Sequence, residues 1–346
     1  MSPRLEPKSP EEAAALYQEA RGHWRKRTPL SVRMAIRSLE KAIALDGSFP
    51  QASAALADCH SILMDYGMVS PAEGLTAARL ASGRALHQGP ELAESLTAAA
   101  LVRQMSLDWG GAEAEFEAVV RTHPDYPLAR QRYALLLAYM GRDSESRRQI
   151  DEALALDPGS PAAAASEAWI EYYGGRPEKA IEIGRNAVLR HPRFSSAEVV
   201  LALSLTAADR PREGAGVLER SLARETDNVS LLSLLSYTRA REGNRDEAER
   251  LIARLRSWST ERYVSPYYLA VPYVGLGRWD EAWSALRVAL SERVPQLVYL
   301  GREPVFRSFR KDPRFQSLLS QVGLPRRAGP GTSTLHKPAF PAEAPR

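Results

Sequence analysis

The sequence predicts an all-α fold: a right-handed superhelical solenoid of about eight helical hairpins with a C-terminal capping helix. Apolar residues follow i, i+3, i+4 spacing along most of the chain, which is typical of amphipathic helices. Short clusters of Gly, Pro, Asp or Asn separate these stretches and mark turns between helices. The third observation is an internal repeat with a period of about 34 residues, which is typical of stacked helical hairpins. The repeated blocks begin at Ala93, Pro127, Pro161, Ser195, Val229 and Tyr263.

Small residues recur at two positions of each block and would let two antiparallel helices cross closely. The eighth position reads Ala100, Ala134, Ala168, Ala202, Ser236 and Ala270. The twentieth position reads Ala112, Ser146, Ala180, Gly214, Ala248 and Ala282. The turn between the two helices carries Gly141, Gly175, Gly243 and Gly277, with Leu107 and Asp209 as exceptions. Because one hairpin cannot bury its apolar face alone, neighbouring hairpins must stack.

Two further units precede the regular blocks. The eight units lie near residues 10–48, 50–92, 93–126, 127–160, 161–194, 195–228, 229–262 and 263–294. The second unit fits this frame only with a nine-residue insertion around "MDYGMVSP", which predicts an extended loop or a lengthened helix end. Together these units predict a solenoid over residues 10–294.

The two ends of the chain differ from the repeats. Residues 1–9 are expected to be disordered. Residues 295–324 are expected to cap the solenoid, because a terminal hairpin needs cover for its apolar face. Within this cap, Asp312 begins a last helix that runs to about Val322, with Leu318, Leu319 and Val322 facing inward. Residues 325–346 are rich in Pro, Gly, Ser and Thr, which predicts a disordered tail or, alternatively, a short recognition peptide.

The small-residue, glycine and proline pattern resembles that of tetratricopeptide repeats (TPR). Stretches such as "LDWGGAEAEFEAVVRTHPDYPLARQRYALLLAYMGR" and "PQLVYLGREPVFRSFRKDPRFQSLLSQVGLP" resemble, more narrowly, the C-terminal repeat region of bacterial winged-helix transcriptional regulators, adenylate cyclases and serine/threonine kinases. In those families an output domain comes first, but only residues 1–9 precede the repeats here. The resemblance therefore implies a regulatory or interaction module and carries over no DNA-binding or catalytic residue.

In tetratricopeptide proteins the first helix of each hairpin lines a concave groove, and this frame places an aromatic, weakly charged surface there. Trp and Tyr side chains are common hot spots of protein interfaces. We therefore expect the groove to bind a peptide or helix of a partner protein, although single residues could instead pack between hairpins. The candidate groove residues are Gln104, Gln131, Leu135, Tyr139, Trp169, Tyr172, Tyr173, Tyr237, Arg241 and Tyr267.

Several other functions are not expected. Positions 5 and 9 of the frame carry residues such as Thr97 and Leu101 instead of the Lys and Asn with which this family grips chaperone tails. No catalytic, cofactor or metal constellation emerges: the six histidines are scattered, and Cys59 has only His60 beside it. The carboxylates of Glu167 and Glu171 share a helix face but no evident pocket. No span of about 18 apolar residues or signal core is present, which favours a cytoplasmic protein.

The distribution of charged residues indicates whether the chain is suited to bind nucleic acid. The formal net charge is +4 and the pI about 9.2, but acidic and basic residues are interleaved, as on a solvated helix surface. "WRKR" at 24–27 is the longest basic run, and it also suits the end of a first helix. Direct binding of nucleic acid is therefore not expected. The leading hypothesis is a non-enzymatic scaffold in a bacterial regulatory complex; the alternatives are a sensor module separated from an output domain and, third, an RNA-binding solenoid.

Overall fold

A computed structural model describes residues 10–323 of the protein. Residues 1–9 and 324–346 lie outside the described residues, and with them the two segments for which the sequence predicts disorder. Within residues 10–323 there are α-helices and 3-10 helices but no strands. The α-helices are α1 Pro10–Trp24, α2 Pro29–Leu45, α3 Pro50–Asp65, α4 Pro71–Gln88, α5 Ala93–Met105, α6 Trp109–Thr122, α7 Pro127–Tyr139, α8 Asp143–Leu156, α9 Pro161–Tyr173, α10 Pro177–Arg190, α11 Ser195–Ala207, α12 Pro211–Arg224, α13 Val229–Glu242, α14 Arg245–Glu261, α15 Pro266–Leu276, α16 Trp279–Ser291 and α17 Pro313–Val322. The 3-10 helices are Pro295–Tyr299 and Pro304–Lys311.

Helices α1–α16 form antiparallel pairs whose turns follow the glycine pattern. Gly141 and Gly175 adopt φ of +80° and +74°, a conformation that residues with a Cβ avoid. Where the frame lacks glycine, Leu107 and Asp209 adopt the same left-handed conformation, with φ of +63° and +62°. The turn geometry is thus kept at these non-glycine positions, each of which carries about 1–2 kcal/mol of backbone strain.

The small residues of the repeat lie where paired helices cross. Ala100, Ala134, Ala168, Ala202, Ser236 and Ala270 are all fully buried. At Gly214 a Cβ would lie 2.6 Å from the backbone oxygen of Ala202, so this crossing leaves no room for a side chain. Ser146 and Ser236 fit the crossings because their hydroxyls donate to the backbone oxygens of Ala134 and Ala248. The all-α repeat fold predicted from this pattern is confirmed.

The solenoid curves until its second hairpin meets its last. The Ser265 amide donates to the Gly67 oxygen at 3.0 Å, and the Tyr268 hydroxyl donates to the Asp65 oxygen at 2.9 Å. Gly67 has φ of +71°, and a Cβ there would lie 2.5 Å from the Tyr268 ring. This contact falls in the inserted stretch "MDYGMVSP", which the structure forms as the Tyr66–Ser70 connection between α3 and the long helix α4. The insertion is therefore the place where the superhelix closes.

Residues 295–323, here called the C-terminal segment, pack against the last hairpin and also contact hairpins that lie far away in the sequence. As expected of a cap, Phe309 and Phe315 pack with Trp283 of α16, and Phe306 stacks on Phe315. Asp312 caps α17 by accepting from the Arg314 amide. Leu318 and Val322 are buried, whereas Leu319 is only half-buried. The segment also crosses the concave side, where Tyr299 packs against Tyr139 and Tyr173 of the first helices α7 and α9. Its end is held by the Trp109 indole, which donates to the Val322 oxygen at 2.8 Å. The concave side is thus not the open trough that a plain stack of hairpins would leave.

Candidate partner-binding site

A cavity of about 170 Å³ remains at the centre of the superhelix. Side chains from the first helix of successive hairpins line it, because these helices face inward in every pair. The C-terminal segment closes one side of it with Tyr299 and Glu303. The cavity is therefore bounded by residues that lie far apart in the sequence.

The aromatic side of the cavity belongs to a group that we call the tyrosine cluster. It consists of Tyr139, Tyr173, Tyr267 and Tyr299, which line the cavity, and Tyr172, which packs against Tyr173. Tyr299 of the C-terminal segment packs edge-on against Tyr139 at 5.2 Å and stacks on Tyr173 at 5.9 Å between ring centroids. Trp169 stacks on Tyr173 from the other side at 5.3 Å. Offset and edge-to-face ring contacts of this kind each add about 0.5–1.5 kcal/mol beyond the burial of area. The chain itself thus occupies much of the predicted aromatic surface.

Polar contacts anchor the C-terminal segment in this place. The Tyr172 hydroxyl donates to the buried carboxylate of Glu303, and the Tyr299 hydroxyl donates to Asp65. Arg302 donates to Asp143 at 2.7 Å between Nη2 and Oδ1. Burial raises the pKa of Glu303 to about 7, although the hydrogen bond from Tyr172 favours the charged form. The segment is therefore held by a carboxyl group that titrates near neutral pH.

A buried charge cluster around Asp58 adjoins the cavity, which Arg27 and Arg132 of this cluster line. Its carboxylate accepts from the Trp24 indole at 2.5 Å and pairs with Arg27 at 3.3 Å and with Arg132. Burial alone would raise the pKa of Asp58, but the guanidinium groups of Arg132 and Arg27 outweigh it and hold that pKa below its ordinary value. Because Arg132 lies on α7, this cluster joins the first two hairpins to the fourth across the superhelix.

Two buried polar atoms of cavity-lining residues have no hydrogen-bond partner in the described part of the chain. They are the Nε of Arg132, a donor, and the Oε1 of Gln104, an acceptor. Buried polar groups are normally paired, and each unpaired one costs about 1–3 kcal/mol. A bound molecule that offered an acceptor and a donor here would satisfy both atoms.

Seven of the ten predicted groove residues line this cavity. They are Gln104, Gln131, Leu135, Tyr139, Trp169, Tyr173 and Tyr267. Tyr172 and Tyr237 are buried next to Glu303 of the C-terminal segment, and Arg241 is exposed outside the cavity. Leu135 and Trp169 keep partial exposure, whereas the five groove tyrosines are each less than a tenth exposed. A partner could therefore reach Leu135 and Trp169 without displacing the C-terminal segment, but it could not reach the tyrosines.

The repeat pattern does not predict the buried charged residues of the site or the contacts that the C-terminal segment makes with it. Asp58 stands inside the apolar stretch "AALADCHSIL", and this lone carboxylate is the available signal of a buried ion pair. Nothing in the repeat pattern indicates that Tyr299 would meet Asp65, because the two lie 234 residues apart. Their contact depends on the closure of the superhelix.

Two other residues that the sequence offered as candidates for chemistry, Glu171 and Cys59, are buried among the helices. Glu171 is buried and pairs with Arg147, Arg176 and Lys179, so it belongs to an ion-pair network. Cys59 is buried, and burial raises the pKa of its thiol, which disfavours the reactive thiolate. Between residues 10 and 323 no group of three or more His, Cys, Asp or Glu side chains could hold a metal ion. No helix in that range is long and apolar enough to cross a membrane.

Sequence comparison finds a distant relationship to transcription regulators. No protein-family model matches the chain. The transcriptional regulator HilA of Salmonella typhimurium is 19% identical over 247 residues, which are 71% of this chain and 44% of HilA. HilA of Salmonella typhi matches equally. The chain thus spans less than half the length of these curated relatives.

Structure comparison finds similarity to tetratricopeptide repeat proteins and to one further protein. A tetratricopeptide repeat protein from Parabacteroides merdae covers 71% of this chain with 93% of its own, at 15% identity and a TM-score of 0.47. A TPR protein of Thermus thermophilus covers 56% of this chain with 98% of its own, at 15% identity and a TM-score of 0.45. A monomeric IFIT1 mutant solved with Gppp-AAAA covers 84% of this chain with 72% of its own, at 16% identity and a TM-score of 0.55. At these identities the likeness concerns the fold alone.

Proposed function

We propose that this chain, which has the tetratricopeptide-repeat fold, is a regulatory interaction module that binds a segment of a partner protein on its inner surface. The observation that carries the proposal is the C-terminal segment itself. Residues 295–311 lie on the inner surface as a short-helical and extended polypeptide, held by ring contacts and by hydrogen bonds to Asp65 and Tyr172. This surface is therefore suited to hold polypeptide.

The partner segment would occupy the part of the inner surface that the chain leaves open. Trp169 and Leu135 border the cavity there and keep partial exposure. The unpaired Gln104 Oε1 and Arg132 Nε lie at the same cavity, and the backbone of an extended peptide offers both a donor and an acceptor. A long helix is disfavoured, because the C-terminal segment already crosses the concave side. We therefore propose that the bound segment of the partner is short or extended and is not a long helix.

The distant relationship to HilA supports a regulatory role, since the repeats of this chain match part of a transcription regulator. A second proposal follows from it: the module acts as the sensor part of a regulator and controls an output domain of another protein. A two-hybrid assay against winged-helix, cyclase and kinase proteins encoded beside its gene tests this proposal. An interaction with one of them that Trp169→Ala abolishes supports it, and no interaction with any of them contradicts it.

Affinity capture with a matched pair of variants tests the partner site. Leu135→Ala with Trp169→Ala removes two partly exposed apolar side chains of the cavity, whereas Leu80→Ala with Leu189→Ala removes two leucines that are 68% and 80% exposed elsewhere. We expect the protein captured by wild type and control to bind the first variant at least tenfold more weakly. A tenfold loss corresponds to about 1.4 kcal/mol, and truncation of an interface hot spot often costs more than that. Equal binding by a first variant with an unchanged melting temperature would contradict the proposed site.

A further inference from the structure

A second opening, here called the basic cleft, lies at the rim of the superhelix and encloses about 900 Å³. Three turns border it: the α1–α2 turn with Arg25 and Lys26, the α10–α11 turn with Arg190 and Arg193, and the α12–α13 turn with Arg224. Phe194 lines both this cleft and the central cavity, so the two openings are adjacent. The "WRKR" run thus faces basic residues that come from the middle of the chain.

The positive charge of the basic cleft is only partly compensated. Among residues 10–323, the side chains of Arg25, Lys26, Arg190 and Arg193 form no ion pair, whereas Arg224 pairs with Glu198. The Arg190 guanidinium donates to the Pro158 oxygen at 2.6 Å and interacts with Glu167 at longer range. The outer turns of the repeats behave differently: Arg142, Arg210 and Arg278 each pair with carboxylates of their own or the neighbouring hairpin. Four unpaired cations on facing turns repel one another, and an anion between them would relieve that repulsion.

Two acidic residues of the basic cleft do not cancel this charge. Glu225 is buried, accepts hydrogen bonds from Ser195 and Asn228, and has a pKa that burial raises. Asp227 is exposed and lies close enough to Arg262 to stabilise its charge, while Arg33 of α2 adds a further positive charge nearby. The net character of the rim is therefore basic.

The residues between the cations indicate which anion fits. They are mainly small, proline or apolar side chains, namely Thr28, Pro29, Leu30, Pro161, Pro192 and Thr226, together with the rings of His191 and Phe194. Leu30, at 68% exposed, offers an open apolar contact. Proteins that bind single-stranded nucleic acid combine basic grooves with aromatic faces on which bases stack. Of the two ring-bearing residues of this cleft, Phe194 is only 6% exposed and His191 is half-buried. The surface is thus better matched to carboxylates on an aliphatic peptide than to stacked bases.

The chain's own tail is a poor occupant. Residues 324–346 contain four basic residues, Arg326, Arg327, Lys337 and Arg346, and one acidic residue, Glu343. Like charges disfavour this tail in a basic cleft.

We infer that the basic cleft binds an acidic, leucine-containing segment of a partner protein, which then continues past Phe194 into the central cavity. This inference rests on the proposed function, whose site it extends. Arginine and carboxylate form strong charge-assisted hydrogen bonds, and exposed charges also steer a partner into the cleft. Such binding weakens with added salt, because ions screen charges at the rim.

A labelled twelve-residue peptide of glutamate with leucine at every fourth position is the probe, and fluorescence anisotropy is the readout. The cleft variant carries Arg25→Glu, Lys26→Glu and Arg193→Glu. The control carries Arg84→Glu, Arg121→Glu and Arg256→Glu, three exposed residues outside the cleft that undergo the same change of charge. We expect salt-dependent binding that falls at least tenfold in the cleft variant and less than twofold in the control.

The same peptide tests the basic cleft and the inner-surface site separately. Loss of binding in both the cleft variant and the Leu135→Ala, Trp169→Ala variant supports both sites. Loss in the cleft variant alone supports the basic cleft and contradicts the inner-surface site. Equal loss in the cleft variant and its control, no binding of the peptide at millimolar concentration, or tighter binding of a twelve-nucleotide single-stranded RNA would overturn the acidic-segment inference.

Discussion

The tyrosine cluster borders the central cavity and the basic cleft opens next to that cavity. The two regions differ in how many of their polar and charged groups find partners within the chain. In the tyrosine cluster the C-terminal segment covers the rings and supplies Glu303 for Tyr172. In the basic cleft Arg25, Lys26, Arg190 and Arg193 are left without ion pairs among the described residues. A surface that the chain covers with its own residues contributes to the free energy of folding. A surface whose like charges have no ion-pair partners instead raises the free energy of the unbound protein. We therefore expect stability to depend on the first region and partner binding on the second.

Removing Phe306 tests whether the C-terminal segment is part of the core. Its ring is fully buried and packs against Tyr267 at 5.6 Å and Phe315 at 6.2 Å. We expect Phe306→Ala to lower the free energy of unfolding by about 3–5 kcal/mol, as is usual for a buried aromatic ring. Urea denaturation measures it, with Leu189→Ala as an exposed control that changes stability by less than about 0.5 kcal/mol. A loss below about 1 kcal/mol for Phe306→Ala would mean that the segment is only loosely attached.

The contrast also explains which parts of the architecture the sequence could predict. Contacts between neighbouring hairpins recur in every block, so the small residues at Ala134, Ala168 and Ala202 are sufficient to predict an all-α repeat solenoid. The closure is not predictable in this way. Asp65 meets Tyr299 across 234 residues of sequence, Gln296 meets Met64 across 232 residues, and each contact occurs once. A repeat pattern specifies the interface between adjacent units, but it contains no information about where the superhelix returns to itself.

The repeat pattern likewise predicts only part of the candidate site. The frame places Tyr139 and Tyr173 on the inner surface because their positions recur in every hairpin, and the structure has them there. Whether an inner residue faces a partner or the chain itself depends on the C-terminal segment, which lies outside the repeats. The basic cleft depends on the closure too, because "WRKR" faces Arg190 and Arg193 only in the curved chain.

Titration of Glu303 makes the free energy of unfolding depend on pH. Its pKa is raised from 4.5 to about 7 in the folded protein, so the folded state favours the protonated form. The stabilisation from this group is fully present below pH 4.5 and is lost as the pH rises through 7. At about 1.4 kcal/mol per pKa unit, the loss amounts to about 3 kcal/mol.

Urea denaturation of wild type and Glu303→Gln between pH 4.5 and 8 measures this loss. We expect the wild type to lose stability relative to the variant as the pH rises, because the amide keeps an acceptor for Tyr172 and cannot ionise. Glu182→Gln, at an exposed position, serves as the control and should follow the wild type at every pH. Parallel curves for wild type and Glu303→Gln would show that the carboxyl group does not titrate in this range.

A pair of glycine substitutions isolates the closing contact. Gly67 and Gly175 have nearly the same φ, +71° and +74°, so alanine meets similar backbone strain at both. A Cβ at Gly67 would overlap Tyr268 at 2.5 Å, whereas a Cβ at Gly175 would meet nothing within 4 Å. We expect Gly67→Ala to cost about 1–3 kcal/mol more than Gly175→Ala, because overpacking forces neighbouring side chains to shift. Equal melting temperatures for the two variants would mean that the second hairpin does not press against the last one.

The smallest effect on stability is expected in the basic cleft. Reversing the charge of Arg25, Lys26 and Arg193 removes repulsion and breaks no ion pair of the described residues, so the free energy of unfolding should stay within about 0.5 kcal/mol of wild type or rise slightly at low salt. Chemical denaturation at low and at high salt measures it, with the Arg84, Arg121 and Arg256 reversal as the control. A loss of more than about 1 kcal/mol in the cleft variant alone would show that these cations already stabilise the fold. The basic cleft would then be a satisfied surface like the tyrosine cluster, and its charge would no longer argue for a partner.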